Sequence, residues 1–110
     1  TYVSVSGEIH GSLAAEGCEI KGLVEDSIIS TGCEIEEGAT VIKSVIMPNT
    51  KVCKGAVIQY AIVGEETIVG KNCKIGESQL GKEEGQLGIA VVGGHRTIED
   101  NTVLKAEELI

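Results

Sequence analysis

Residues 27–76 read SIISTGCEIEEGATVIKSVIMPNTKVCKGAVIQYAIVGEETIVGKNCKIG. Aliphatic residues fall at Ile29, Ile35, Val41, Ile46, Val52, Ile58, Val63, Val69 and Ile75. The steps between them are six, six, five, then six, six, five, then six and six, so the motif closes every 17 residues. A short fixed period predicts a solenoid, in which each unit buries its apolar face by stacking on the next. Two positions before each aliphatic residue stands a small one: Ser27, Cys33, Ala39, Ser44, Thr50, Ala56, Ala61, Thr67 and Cys73. Strand side chains alternate faces, so each small residue shares the inward face with the large residue that follows it. One residue further back stand Gly32, Gly38, Asn49, Gly55 and Asn72, with Glu66 as the exception. Gly and Asn reach positive φ at low cost, which marks these positions as tight corners. Three such units close a triangular coil, and successive coils stack as parallel strands about 4.8 Å apart. The fold class expected is all-β, a parallel β-helix of triangular coils.

Other classes fit poorly. A helix needs apolar spacings of three and four, which do not recur. An antiparallel sandwich would not hold so strict a register. The chain has two Tyr, no Phe and no Trp. A narrow coil filled by Ile, Val, Ala, Ser, Thr and Cys has no need of aromatic residues.

The 110 residues leave room for one domain. The expected layout is a single β-helix over 1–110. Shortened first coils cover 1–26, with Val3, Ile9, Ala14, Ile20 and Val24 inward. Regular coils cover 27–80, the last begun by Ser78 and Leu80. A Gly-rich charged stretch over 81–88 reads as a protruding loop, either a plain insertion or a contact to another domain or subunit. A terminal coil covers 89–110, with Val92, Ile98 and Leu104 inward. The chain starts Thr-Tyr-Val and enters the repeat almost at once, which reads as a fragment of a longer protein.

The net charge is −8 and the basic residues are scattered. A nucleic-acid partner calls for a basic stripe, and none is visible. No apolar run is long enough for a membrane-spanning helix, and a cytoplasmic setting is expected. Cys18, Cys33 and Cys73 occupy small inward slots, and Cys53 follows an inward Val. No CxxC pair suggests a metal or redox site. Reduced thiols acting as small hydrophobes are expected, although Cys18 and Cys33 stand 15 apart and could stack.

No catalytic or metal constellation is recognisable. His10 and His95 fall at opposite ends of the stack, too few for a three-His metal site, and neither has a visible orienting carboxylate. His95 is a conceivable base for an acyltransferase, at a corner where a polar residue is expected anyway. Glu16, Glu25, Asp26, Glu36, Glu37, Glu65, Glu66, Glu83, Glu84, Glu99 and Asp100 fall at corners or outward positions, where they keep a solenoid soluble. Arg96 is the misfit, because it occupies a small inward slot two residues before Ile98. A guanidinium inside an apolar coil is costly unless paired. Either a local bulge turns it outward, or it meets a ligand anion or another domain.

The residues also resemble a known family. Ser12-Leu13, then Gly17-Cys18-Glu19-Ile20-Lys21-Gly22, then Glu25-Asp26-Ser27-Ile28-Ile29 looks like the opening of the C-terminal domain of glucose-1-phosphate adenylyltransferases. Ser44-Val45-Ile46-Met47-Pro48-Asn49-Thr50 resembles the next coil, and Ala61-Ile62-Val63-Gly64 and Val91-Val92-Gly93 resemble later ones. The likeness covers essentially the whole chain. One departure is Glu99-Asp100-Asn101, where the family usually has Pro-x-Gly. The resemblance implies a left-handed parallel β-helix of hexapeptide repeats, an exception to the usual right-handed crossover. It implies a parent enzyme that makes ADP-glucose and pyrophosphate from ATP and glucose 1-phosphate in glycogen biosynthesis. Catalysis and Mg²⁺ with ATP would belong to an N-terminal nucleotidyltransferase domain, leaving these residues inactive alone and without a cofactor. The implied partners are that domain, other subunits and a sugar-phosphate effector, with Arg96 as the candidate effector contact. The alternatives are the β-helix of another sugar-phosphate nucleotidyltransferase, or a hexapeptide-repeat acyltransferase.

Overall fold

The computed structural model describes residues 2–3, 8–76 and 89–104. Their strands are two or three residues long and pair in parallel on three faces. The first face carries Tyr2–Val3, Glu19–Ile20, Glu34–Ile35, Lys51–Val52, Ile68–Val69 and Thr97–Ile98. The second carries Glu8–His10, Leu23–Glu25, Thr40–Ile42, Val57–Gln59, Lys74–Ile75 and Val103–Leu104. The third carries Leu13–Ala14, Ile28–Ile29, Val45–Ile46, Ala61–Val63 and Ala90–Val92. The chain visits the faces in turn, so every sheet neighbour is one coil away in sequence. The result is the triangular parallel β-solenoid that the period predicts.

The core follows the same arithmetic. All nine aliphatic positions from Ile29 to Ile75 and all nine small slots before them are buried. Between the regular coils the register is 17, as in Glu34 to Lys51 and Lys51 to Ile68. Backbone hydrogen bonds stitch one coil to the next, for example Glu34 N–H to the Thr50 carbonyl at 2.9 Å and Lys51 N–H to the Thr67 carbonyl at 2.9 Å.

The register departs from 17 at two places, both corners. Glu19 pairs with Glu34, 15 residues on, whereas Leu23 pairs with Thr40, 17 on. The first coils are therefore shortened between Ile20 and Leu23. There Lys21-Gly22 does the work that Glu36, Glu37, Gly38 and Ala39 do one coil later. Gly22 is buried, and a Cβ on it would run into the Ala39 carbonyl oxygen and come within 2.9 Å of the Glu36 carbonyl oxygen. The tightened corner thus lies directly against the backbone of the full one.

Beyond Ile75 the register becomes 29: Ala61 pairs with Ala90, Ile68 with Thr97 and Lys74 with Val103. The place over Ala61–Val63 is taken by Ala90–Val92. The regular coils are described through Ile75. Ser78, Leu80, the loop expected over 81–88 and residues 105–110 lie outside the described residues.

Corner residues Gly32, Gly38, Asn49, Gly55, Glu66 and Asn72 have φ between 51° and 79°. Glu66 thus adopts the same left-handed turn as its glycine and asparagine counterparts. The five-step corners do so as well, at Asp26 (47°), Lys43 (46°) and Tyr60 (48°). Each costs about 1–2 kcal/mol against a right-handed conformation. Part of that is offset where the Lys43 ammonium stands 5.8 Å from the Tyr60 ring centroid, one coil above.

The serines explain the five-step corner. Ser27 and Ser44 each donate Oγ–H to the carbonyl two residues back, Glu25 at 2.7 Å and Ile42 at 2.8 Å. Each Oγ also accepts from the next coil: Ser44 N–H reaches Ser27 Oγ at 3.0 Å, and Ala61 N–H reaches Ser44 Oγ at 3.2 Å. Below them Ser12 Oγ accepts from Ser27 N–H at 2.9 Å. The hydroxyls form a column that satisfies backbone groups the shorter corner leaves without ladder partners. Ala61 cannot continue it, and Ala90 N–H goes instead to the Tyr60 carbonyl at 3.2 Å.

Two outcomes follow from this packing. Ser44→Ala strands the buried Ala61 N–H and should lower unfolding free energy by about 1–3 kcal/mol in urea titration; an unchanged midpoint would show that the column is dispensable. Gly22→Ala should destabilise by about 1–3 kcal/mol, because backbone rather than a movable side chain blocks the new methyl. Wild-type stability in that variant would mean that the shortened corner is loosely packed.

Candidate functional site

The last described coil carries the candidate residues. His95 adopts φ 56°, in the corner column above Glu66. Its N–H bonds the Glu65 carbonyl at 2.8 Å. Its Nδ1 lies 3.0 Å from Glu66 Oε2, and its Nε2 lies 3.8 Å from Glu65 Oε1. The sequence alone shows no carboxylate partner for His95, because Glu66 is 29 residues away in sequence and one coil away in space. These side chains are more than half exposed, so the pairing contributes little to stability. His10 lies on the strand Glu8–His10, which pairs with Leu23–Glu25 in the first coils, far from His95. The two histidines are not brought together.

Arg96 lies in the inward slot above Thr67, yet its side chain is exposed. No bulge accounts for this. Ile68 pairs with Thr97 and Val69 with Ile98, and Ile68 N–H bonds the Arg96 carbonyl at 2.9 Å, just as Lys51 N–H bonds that of Thr67. The backbone stays regular and only the side chain departs. The exposed guanidinium thereby avoids the cost of entering an apolar coil. It borders a shallow depression lined also by Thr97, Ile98, Glu99 and Thr102. Thr102 Oγ1 donates to the Glu99 carbonyl at 2.7 Å, and Cys73 Sγ–H to the same oxygen at 3.0 Å. That floor is tied to the core, and the exposed Arg96 side chain borders it.

A second groove runs along the first corner column, lined by Gly17, Glu19, Gly32, Glu34, Asn49 and Lys51 among others. Lys51 Nζ stands 3.7 Å from Glu34 Oε2 and 3.8 Å from Glu36 Oε2. The 17-residue register alone would have stacked Lys51 on Glu34. Among the described residues no cluster of His, Cys, Asp and Glu is arranged to hold a metal ion.

The four thiols are unpaired, with Cys18, Cys33 and Cys73 buried. Burial pushes the Cys33 thiol above its usual range, and the neighbouring Cys18 adds to the effect. Cys18 donates to the Ser30 carbonyl at 3.0 Å and Cys33 to the Met47 carbonyl at 3.1 Å. Buried and hydrogen-bonded to backbone carbonyls, these sulfurs serve as packing groups. No helix among the described residues is long and apolar enough to cross a membrane.

Comparison with known proteins gives the chain its relatives. It is 37% identical over 107 residues to a glucose-1-phosphate adenylyltransferase of Desulfitobacterium hafniense, covering 97% of this chain and 27% of that protein. It is 44% identical over 105 residues to the enzyme of that name from Fervidobacterium nodosum, covering 91% of this chain and 25% of that protein. The chain thus spans about a quarter of the length of the curated relatives it matches. Among solved structures, the CcmM N-terminal domain, crystallised in complex with CcmN, superposes with a TM-score of 0.56 at 18% identity. That match covers 98% of this chain and 88% of the other, and it shows the shared fold alone. The profile of the GlmU-like, C-terminal hexapeptide family matches residues 3–92. The chain belongs to that family.

Proposed function

We propose that this chain is the assembly and regulatory domain of a glucose-1-phosphate adenylyltransferase. The parent enzyme would join ATP and glucose 1-phosphate into ADP-glucose and pyrophosphate. The observation that carries the reading is that 97% of the chain aligns with 27% of an enzyme of that name. The remainder of such an enzyme would hold both substrates and the Mg²⁺ that accompanies ATP. The solenoid would supply a rigid body against which that remainder and other subunits pack, and exposed Arg96 would offer a cation to a sugar-phosphate effector. A cytoplasmic setting goes with the proposal, since four unpaired thiols persist in a reducing compartment.

A second reading has one observation in its favour. The Glu66 carboxylate at 3.0 Å from His95 Nδ1 would orient an acyltransferase's catalytic imidazole. Against it, the described residues around His95 form an open corner with no enclosed pocket.

Mixed with ATP, Mg²⁺ and glucose 1-phosphate, the chain alone should release no pyrophosphate above the blank. Turnover by the chain itself would contradict the proposal. Within the enzyme that carries the chain, Arg96→Ala should raise the sugar-phosphate concentration for half-maximal activation about tenfold, the worth of one charge-assisted hydrogen bond. A superimposable activation curve would remove Arg96 from the effector site.

A further inference from the structure

Two of the buried thiols stand one above the other. Cys18 and Cys33 fill the same inward slot of adjacent coils, each one residue before the paired Glu19 and Glu34. Glu19 N–H bonds the Cys33 carbonyl at 3.0 Å, so the two backbones meet at this point. The Cys18 thiol points into the coil of Cys33, where it donates to the Ser30 carbonyl at 3.0 Å. The Ser30 backbone also borders the Cys33 thiol, and Cys18 acts on that thiol through space. Thr50 and Thr67 fill the slot in the next two coils, so the cysteine pair is confined to one junction. Cys33 floors the groove along the first corner column, and the neighbouring Gly17 and Gly32 put no side chains of their own over it.

We propose that Cys18 and Cys33 form a reversible redox lock, closing to a disulfide between their two coils when a small peroxide reaches the groove. The spacing fits the bond. In-register neighbours on parallel strands lie about 4.8 Å apart, inside the roughly 4.4–6.8 Å that separates the Cα atoms of disulfides. Parallel stacking holds the Cβ atoms wider than the roughly 3.8 Å of a relaxed bridge, so the bond closes under strain and is readily reduced. That suits a lock that must open again. Peroxide supplies the oxidising equivalents. The Cys33 sulfur, at the groove, takes one oxygen from the peroxide to become a sulfenic acid, and water leaves. The Cys18 sulfur then attacks that of Cys33. The S–S bond forms, the S–O bond breaks, and the departing hydroxide takes the Cys18 proton to leave as a second water. Two thiols are oxidised to one disulfide, and one peroxide is reduced to two waters. Burial, which pushes the Cys33 thiol up, slows the first step, so the pair rests reduced until oxidant accumulates. The closed bridge spans the 15-residue register and clamps the shortened Lys21-Gly22 corner within the loop that it closes. The inference is independent of which reaction the parent protein performs.

Oxidation of the full chain by hydrogen peroxide tests the proposal, in a Cys53→Ser background that removes the half-buried thiol. Trypsin cuts after Lys21 and Lys43, which puts Cys18 and Cys33 on separate peptides. Unreduced digests of the folded, oxidised chain should contain residues 1–21 joined to 22–43, lighter than their sum by the two hydrogens lost. Dithiothreitol should part them. The oxidised chain should unfold at about 1 M more urea than the same sample after dithiothreitol, as the closing of a loop of this size implies. Cys18→Ser and Cys33→Ser keep a hydroxyl in the slot, as Thr50 does one coil further on, and circular dichroism checks that both fold. Neither should gain stability under the same treatment. Sulfinic or sulfonic acid at Cys33 with no joined peptide would overturn the proposal. So would thiols still free once the exposed Met47 is fully oxidised, a bridge that forms only in the urea-unfolded chain, or joining of either peptide to Cys73 or to a second copy of itself.

Discussion

Backbone hydrogen bonding between coils is the constraint on which everything else depends. Glu34 N–H finds the Thr50 carbonyl, and Lys51 N–H finds that of Thr67, because each coil has the same perimeter as the next. A coil one residue longer within a strand would turn its aliphatic residues outward, since strand side chains alternate. The period is therefore the condition for keeping backbone groups paired and apolar groups dry together. The two-residue saving falls at the Lys21-Gly22 corner, and the strand ladders stay intact there and across the 29-residue register to Ala90.

The same constraint explains the choice among small residues. At the six-step corners, the slot residues Cys18, Cys33, Thr50 and Thr67 donate to carbonyls of the coil above. At the five-step corner there is one residue fewer, and a hydroxyl there can accept as well as donate. Ser12, Ser27 and Ser44 do both, until Ala61 breaks the column and Ala90 N–H turns to the Tyr60 carbonyl. Cysteine, a weak acceptor, is absent from it.

What the sequence made legible was inward-facing. The aliphatic positions, the small slots, the shortened first coils and the packing role of the cysteines could all be read, because burial leaves its mark on residue type. Much of the rest leaves none. Lys43 and Tyr60 carry no hint of positive φ, since the turn is imposed by the coils on either side and not by local preference. His95 and Glu66 meet only through the 29-residue register, which cannot be known before the strand at Ala90 is placed over Ala61. Arg96 breaks the small-slot pattern in the sequence, but the pattern does not say how it is accommodated: the backbone pairing stays regular and only the side chain is exposed.

The long register before the last coil has an energetic consequence of its own. Stacking Thr97 over Ile68 closes 29 residues where Ile68 over Lys51 closes 17. By loop-closure entropy alone the longer connection adds about 0.5 kcal/mol. In a stack whose stability is a sum of nearest-neighbour terms, that cost falls on the interface between the coil of Ala61–Ile75 and the coil that bears His95 and Arg96. A ligand held by Arg96 would act there as a clasp. It would tighten that coil onto the one below, coupling occupancy of an exposed arginine to how firmly the coil is docked.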